Sequence, residues 1–514
     1  MKPIRLIRGF LTVGGWTMAS RVLGLVRDAW IAAALGTGPV AQAFIIAFSL
    51  PNMFRRFFAE GAFNMAFVPM FAKRLQGGED AEGFARDALS GLATVLIVLT
   101  LAGQLFMPVL VVAMASGYVG DERFALSVDF GRIAFPYILF ISLAALASGV
   151  LNATGRFAAA AAAPVLLNLL FLAALALAPV LGWDSGRALI WTVPLAGVAQ
   201  LALVWVSAAR AGIRLIPRRP RLTPDMRRLA IIAFPAMLTG GVVQVNLLVG
   251  RQVASYFDRA VAWLYNADRI YQLPLGVVAI AIGIVLLPDL SRRLKAGDVV
   301  GSRHSYNRAT EFALFLTIPA ALALLVIPGP LISVLFERGA FTAADSRQTA
   351  LALAIYGLGL PAFVLQKTLQ PLYFAREDTA TPFRYALTAM VVNAAVAIGL
   401  APLIGFSAAA LGTTVAAWVM VAQLRAGTRG MGEAARSDER LRRRLPRILA
   451  AAVVMAATVR GLAHLLQVPL GLAGHRYWAL ALLVAVGAAV YLAAARFLGA
   501  FRLADLRSGL ARQR

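Results

Sequence analysis

Long apolar runs separated by short polar turns dominate the pattern of this chain. Runs of roughly 20 or more residues, enough to cross about 30 Å of hydrocarbon as a helix, fall near 9–35, 40–72, 87–115, 125–152, 157–181 and 187–209. A second series falls near 229–256, 261–290, 309–335, 347–374, 380–404, 406–426, 446–468 and 477–499. The pattern predicts an all-α, polytopic membrane protein of about fourteen transmembrane helices.

The same pattern repeats internally. SLPNMFRRFFAEGAFNMAFVPMFAKRL (49–75) and QLPLGVVAIAIGIVLLPDLSRRL (272–294) both open on Leu-Pro and close on Pro-x-x-x-[KR]-R-L. LNATGRF (151–157) and LYFARED (372–378) end the fourth and tenth spans. Six spans separate the copies, so both have one orientation, which predicts two six-helix lobes related by an axis along the membrane normal with a cavity between them. The expected organisation is residues 1–212 for the first lobe, 213–428 for the second, and 429–514 for a charged linker, two further spans and a tail. Between its prolines the first copy is longer, Pro51 to Pro69 against Pro274 to Pro288, and the extra turn falls around Arg55, Arg56 and Glu60.

Composition agrees with membrane residence: 60% of residues are hydrophobic, 14% are charged, and the mean hydropathy is +0.77. The absence of cysteine excludes disulfides, thiolate metal sites and cysteine nucleophiles, and only His304, His464 and His475 could supply imidazole. A net charge of +25 raises nucleic acid as a partner, but the placement of the 49 basic residues argues against it. With the N-terminus in the cytoplasm, the inward ends and loops hold 34 of them and the outward loops only Arg123, Arg187, Arg259, Arg338, Arg347 and Arg476. That asymmetry is the positive-inside signature and places both termini in the cytoplasm. The runs PRRPRLTPDMRR (217–228) and RLRRRLPR (440–447) are then topology signals that also meet anionic lipid headgroups. Lys2, Arg5 and Arg8 followed by an apolar run resemble the start of a signal peptide, but no convincing cleavage site precedes Arg21 and Arg27, so a retained first span is expected.

Nine basic residues fall inside spans: Arg21, Arg27, Arg55, Arg56, Arg132, Arg251, Arg269, Lys367 and Arg460. Each costs about 2.5 to 3.5 kcal/mol at a helix centre, so each is expected to face water or a partner. Arg56 and Glu60 are spaced to pair along one helix face, which leaves Arg55 as the better ligand. Arg21, Gly24 and Asp28 share a face, with Arg27 a third of a turn away, and Gly24 leaves room for a close neighbour. Arg269 follows Asp268 just before Pro274. Five arginines against three acids in this set leave an excess of positive charge, and the planar arginine fork suits phosphate oxygens. The remaining four are expected to snorkel or bond backbone carbonyls. No carboxylate pair with metal spacing adjoins a span and no glycine-rich nucleotide loop occurs, so neither an enzyme nor an ATPase is expected and no cofactor is called for.

The stretches SRVLGLVRDAWIAAALG (20–36), AFSLPNMFRRFFAEGAFNMAFVP (47–69) and NADRIYQLPLGVVAIAIGIVLLPDLSR (266–292) resemble the MurJ (MviN-type) lipid II flippases of the MOP exporter superfamily. The resemblance covers nearly the whole chain. It implies transport of lipid II, the undecaprenyl-pyrophosphate-linked disaccharide-pentapeptide of peptidoglycan, to the outer leaflet of the bacterial inner membrane. Membrane lipids and cell-wall synthesis proteins are the other partners to expect. By the family's motifs the substrate-binding arginines correspond to Arg21, Arg27, Arg55 and Arg269, with Gly24, Asp28, Arg56, Glu60 and Asp268 in support. Residues 446–499 inherit a lipid-tail groove by resemblance. The chain departs from the family at Gln42 and Gln272, where many relatives carry an acid. The alternatives are a flippase for another polyprenyl-linked oligosaccharide, a MOP-superfamily drug or cation antiporter, which should show excess cavity acid, and a scaffold for cell-wall enzymes.

Overall fold

The computed structural model describes residues 3–55, 62–472 and 474–500, and every regular element among them is helical. Two compact units emerge. One comprises residues 1–262 with the short segment Arg338–Phe341, and the other residues 263–337 with 342–514.

The first unit carries α1 (Pro3–Leu35), α2 (Pro39–Arg55), α3 (Ala62–Gly77), α4 (Ala81–Leu105), α5 (Met107–Ala115), α6 (Glu122–Ala134), α7 (Tyr137–Ala153), α8 (Ala158–Val180), α9 (Ser185–Arg210) and α10 (Pro224–Ser255). Its aromatic core gathers Phe44, Phe48, Phe130, Tyr137 and Phe171. The second unit carries α11 (Ala260–Lys295), α12 (Val299–Val326), α13 (Pro328–Phe336), α14 (Ala343–Phe374), α15 (Ala380–Ile404), α16 (Ser407–Gly427), α17 (Glu439–Leu465), α18 (Gln467–Gly471) and α19 (Arg476–Phe497). One of its cores lies along α11, α12, α14 and α16, around Leu286, Ala313, Leu372 and Leu424. Another joins α17 and α19 through Met455, Val459 and Leu483.

Ten helical segments among the described residues are long and apolar enough to cross a membrane. The other four expected spans correspond to α1, α2 with α3, α10, and α11. These four carry Arg21, Arg27, Arg55, Arg251 and Arg269. At 1.5 Å per residue the 33 residues of α1 extend about 50 Å, more than the hydrocarbon needs.

The internal repeat extends to helix ends. Asp80 caps α4 by accepting the Gly83 N–H at 2.7 Å, and Asp298 caps α12 by accepting the Gly301 N–H at 2.7 Å. Gly78 and Gly297, just before these caps, both take φ +69°. α7 and α14 end in the same turn. The Arg156 N–H reaches Leu151 O at 2.9 Å past Gly155, and the Asp378 N–H reaches Tyr373 O at 3.1 Å past Glu377.

The packing boundary at 262 and the repeat boundary expected at 212 are different places. α10, the repeat counterpart of α1, is tied within the first unit by hydrogen bonds that no hydropathy pattern encodes. Gln252 donates to Val112 O and Ala113 O, both at 2.8 Å, and accepts from the Ser116 N–H at 2.7 Å, while the Gly117 N–H donates to Ser255 Oγ at 2.9 Å.

Both basic runs are docked on helices. In the first unit Arg218 donates to Asp87 and to Gly83 O on α4. In the second, Glu311 of α12 accepts from Arg308, Arg440 and Arg444, and Asn307 bridges Arg436 O and the Asp438 N–H.

Candidate functional site

α1 packs along α8 as a mostly apolar helix, and the buried charges Arg27 and Asp28 are met by specific neighbours. Arg27 is 7% exposed and Asp28 4%. The Arg27 guanidinium donates from Nε and Nη2 to Asp28 Oδ1 at 3.0 and 2.7 Å, and from Nη1 to Asn168 Oδ1 on α8 at 2.9 Å. Its carbon lies 5.5 Å from the Phe171 ring centroid and 5.9 Å from that of Phe48. A carboxylate, an amide and two aromatic faces thus replace the water that the cation loses on burial.

Asn168 completes the arrangement from its other end, donating Nδ2 to Ser20 O at 2.9 Å. Gly24 sits opposite it. A Cβ at that position would lie 3.8 Å from Asn168 Nδ2, ordinary contact, so the glycine allows the close neighbour that the spacing calls for without requiring it. Asn168 was not legible as a site residue. It lies 141 positions from Arg27, and nothing in a lone asparagine on an apolar helix marks its partner.

Arg21, one and a half turns before Arg27, is half-buried, and its Nε is buried with no hydrogen-bond partner among the described residues. Arg55 is half-buried at the C-terminal end of α2, past the bend-inducing Pro51. Arg56 and Glu60, expected as a helical pair, lie outside the described residues.

Arg269 belongs to the second unit, on α11. Its guanidinium stacks on Tyr265 one turn earlier, 4.4 Å from the ring centroid. Its neighbour Asp268 accepts from Gln272 Nε2. Tyr271 packs on Tyr356 and Phe363, giving this stretch a rigid aromatic backing. Gln272, one of the two departures expected from the resemblance, supplies a donor to a carboxylate.

The other departure, Gln42, is fully buried on α2. Its Oε1 accepts from Tyr118 OH at 3.1 Å and Arg123 Nη1 at 3.4 Å, while its Nε2 has no partner among the described residues. The pocket is built for an acceptor. Two of the basic residues set aside as single residues meet backbone carbonyls: Arg132 donates to Gln104 O at 3.3 Å and Arg460 to Val326 O at 3.1 Å.

Each unit so described presents guanidinium groups backed by aromatic rings, Arg27 with Phe48 and Phe171 in the first and Arg269 with Tyr265 in the second. Such groups bind phosphate oxygens by charge and by forked hydrogen bonds. Among the described residues no group of three His, Asp or Glu could hold a metal ion.

Known proteins resemble this chain in sequence and fold. The chain matches the family described as lipid II flippase MurJ over residues 31–475. It is 46% identical to the probable lipid II flippase MurJ of Rhizobium meliloti (strain 1021), covering 99% of this chain and 96% of that one. It is 36% identical to the lipid II flippase MurJ of Burkholderia cenocepacia, covering 96% and 97%. A solved structure of lipid II flippase MurJ in an inward closed conformation superposes with a TM-score of 0.79 at 25% identity, covering 94% and 98%. An inward-facing multidrug resistance transporter of the MATE family in the MOP superfamily shares the fold, with a TM-score of 0.67 at 15% identity over 82% and 98%.

Proposed function

Because this chain belongs to the MurJ family of lipid II flippases, we propose that it carries lipid II across the membrane by alternating access, with arginines holding the pyrophosphate. It is a lipid II flippase, a multi-pass protein of the inner membrane serving peptidoglycan synthesis. Alternating access, the roles of individual arginines and the cytoplasmic placement of both termini are our reading. The lobes that move are the two sequence repeats, 1–212 and 213–428, with 429–514 appended.

The observation that carries this reading is the state of Arg27. A buried cation already neutralised by Asp28 and oriented by Asn168 is stable without substrate. Arg21, Arg55 and Arg269 make the first contacts with the pyrophosphate, and Arg27 joins by exchanging the Asp28 carboxylate for a phosphate oxygen. Asp28 then serves as counterion between turnovers, and Asn168 keeps the guanidinium plane fixed through the exchange. A cation exporter would need the opposite balance of charge at these positions.

The test is complementation in cells depleted of their own flippase, reading lipid II exposed at the outer leaflet. Arg21→Ala, Arg55→Ala and Arg269→Ala each should lower exposure at least tenfold with unchanged protein in the membrane. This is the scale of a lost charged hydrogen bond, about 1.5–3 kcal/mol. Normal exposure with any two removed together would reject the role.

A further inference from the structure

Arg460 was set aside as a lone arginine near the end of a span. In the structure it is not alone. It opens onto a cavity of about 480 Å³ that also receives Arg347 and Arg476, with Glu337 as the only acid on its wall among the described residues. The three arginines come from α17, the second turn of α14 and the start of α19, so chain positions more than a hundred residues apart converge. The cavity lies at the end of α12 opposite the Glu311 cluster, since Arg460 donates to the carbonyl of Val326, the last residue of α12.

Three features specify an anion. The first turns of α13, α14 and α19 all border the cavity, through Gly329, Ser346 and Arg476. Helix N-termini present partial positive charge and open N–H groups. Next, the arginines hold unused donor capacity. Arg476 gives Nη1 to Glu337 O at 2.9 Å and has a buried Nε without a partner. Arg347 makes no hydrogen bond or ion pair among the described residues, although it is exposed. The third is Ser346, which lines the cavity, is 5% exposed, and has a buried hydroxyl with no hydrogen-bond partner. A buried hydroxyl left unmade is a standing penalty that a bound oxygen removes.

The surroundings specify a lipid. Leu465, Val468, Leu472 and Trp478, interleaved in the chain with cavity residues His464, Gln467, Gly471 and Arg476, are large apolar side chains on the surface. Exposed tryptophan beside arginine is the composition of a membrane–water interface.

We infer that this cavity is a second anion site, distinct from the arginines of α1, α2 and α11, that binds the phosphate of a membrane lipid. With the termini cytoplasmic it opens on the outward side. The shared ligand chemistry is a lipid phosphate with an adjoining acyl or prenyl chain. Its two sources are an anionic glycerophospholipid of the outer leaflet and a polyprenyl pyrophosphate.

The experiment uses the full chain in phosphatidylcholine nanodiscs containing a phosphatidylglycerol with a photoreactive headgroup, and maps crosslinks by mass spectrometry. Crosslinks should fall in 329–347 and 460–476. The double variant Arg347→Gln, Arg460→Gln, which removes no more than one backbone hydrogen bond, should lower their yield at least tenfold while crosslinks elsewhere persist. Ser346→Ala should lower it to a smaller extent. Unlabelled phosphatidylglycerol and undecaprenyl pyrophosphate are then compared as competitors, and displacement by either supports the site and names its source. Three results would overturn it: yields no higher than with a photoreactive phosphatidylcholine, yields unchanged in the double variant, or displacement by neither competitor. Binding is read without transport, so failure here leaves the flippase function standing, and loss of transport leaves this test intact.

Discussion

Single residues show where the repeat has been kept by backbone chemistry. α7 ends on Gly155 at φ +77° and α14 on Glu377 at φ +63°, each followed by the same long hydrogen bond back into its helix. Glycine meets no penalty there, whereas a side-chain-bearing residue in the left-handed region costs about 1–2 kcal/mol. Nothing lies within 4 Å of a Cβ built at Gly155, so the backbone alone decides the effect of substitution. Gly155→Ala should therefore lower stability by about 1 kcal/mol and Glu377→Gly should raise it by a smaller amount, because glycine also loosens the unfolded chain. Thermal midpoints of the detergent-solubilised variants check both, and a gain from Gly155→Ala would contradict the account.

At the scale of elements, the charged segment 425–447 changes meaning once its partners are known. By sequence it is a basic loop that orients the chain in the membrane. In the structure Arg444 is 7% exposed and Glu311 8%, and the pair anchors the start of α17 on α12. Removing one partner of a buried pair leaves an uncompensated charge, which costs about 3 kcal/mol or more. Glu311→Gln should lower the thermal midpoint and open 425–447 to trypsin. Glu439→Gln, at an exposed pair with Arg443, should change stability by no more than about 0.5 kcal/mol. Equal effects from the two substitutions would reject the anchoring role.

For the whole molecule, the prediction concerns driving force. A pyrophosphate of charge about −2 moving outward through a potential negative inside gains about 2.3 kcal/mol per charge per 100 mV. In the proposed cycle the empty, positively charged arginines would return inward down the same field, and both halves would run downhill without ATP. Collapsing the potential at constant pH gradient and sodium should slow lipid II exposure severalfold. An unchanged rate would remove the potential as the driving force and leave ion coupling in its place.

The sequence by itself determined the all-helical, polytopic character, the repeated segments, and the arginines too costly to leave in lipid. Hydropathy, capping and turn residues act over a few positions, and that range suffices for them. The resemblance carried by 20–36, 47–69 and 266–292 added the family. Tertiary structure alone decided which charges are spent and which are open. Arg27 meets Asn168 across 141 residues, Gln252 draws α10 into the first unit, Glu311 collects arginines from beyond the last repeat, and Arg347, Arg460 and Arg476 share one cavity. Helical periodicity relates a residue only to neighbours three and four positions away. Pairing across a hundred positions depends on which helices pack together, and packing is settled by the whole set of apolar faces at once.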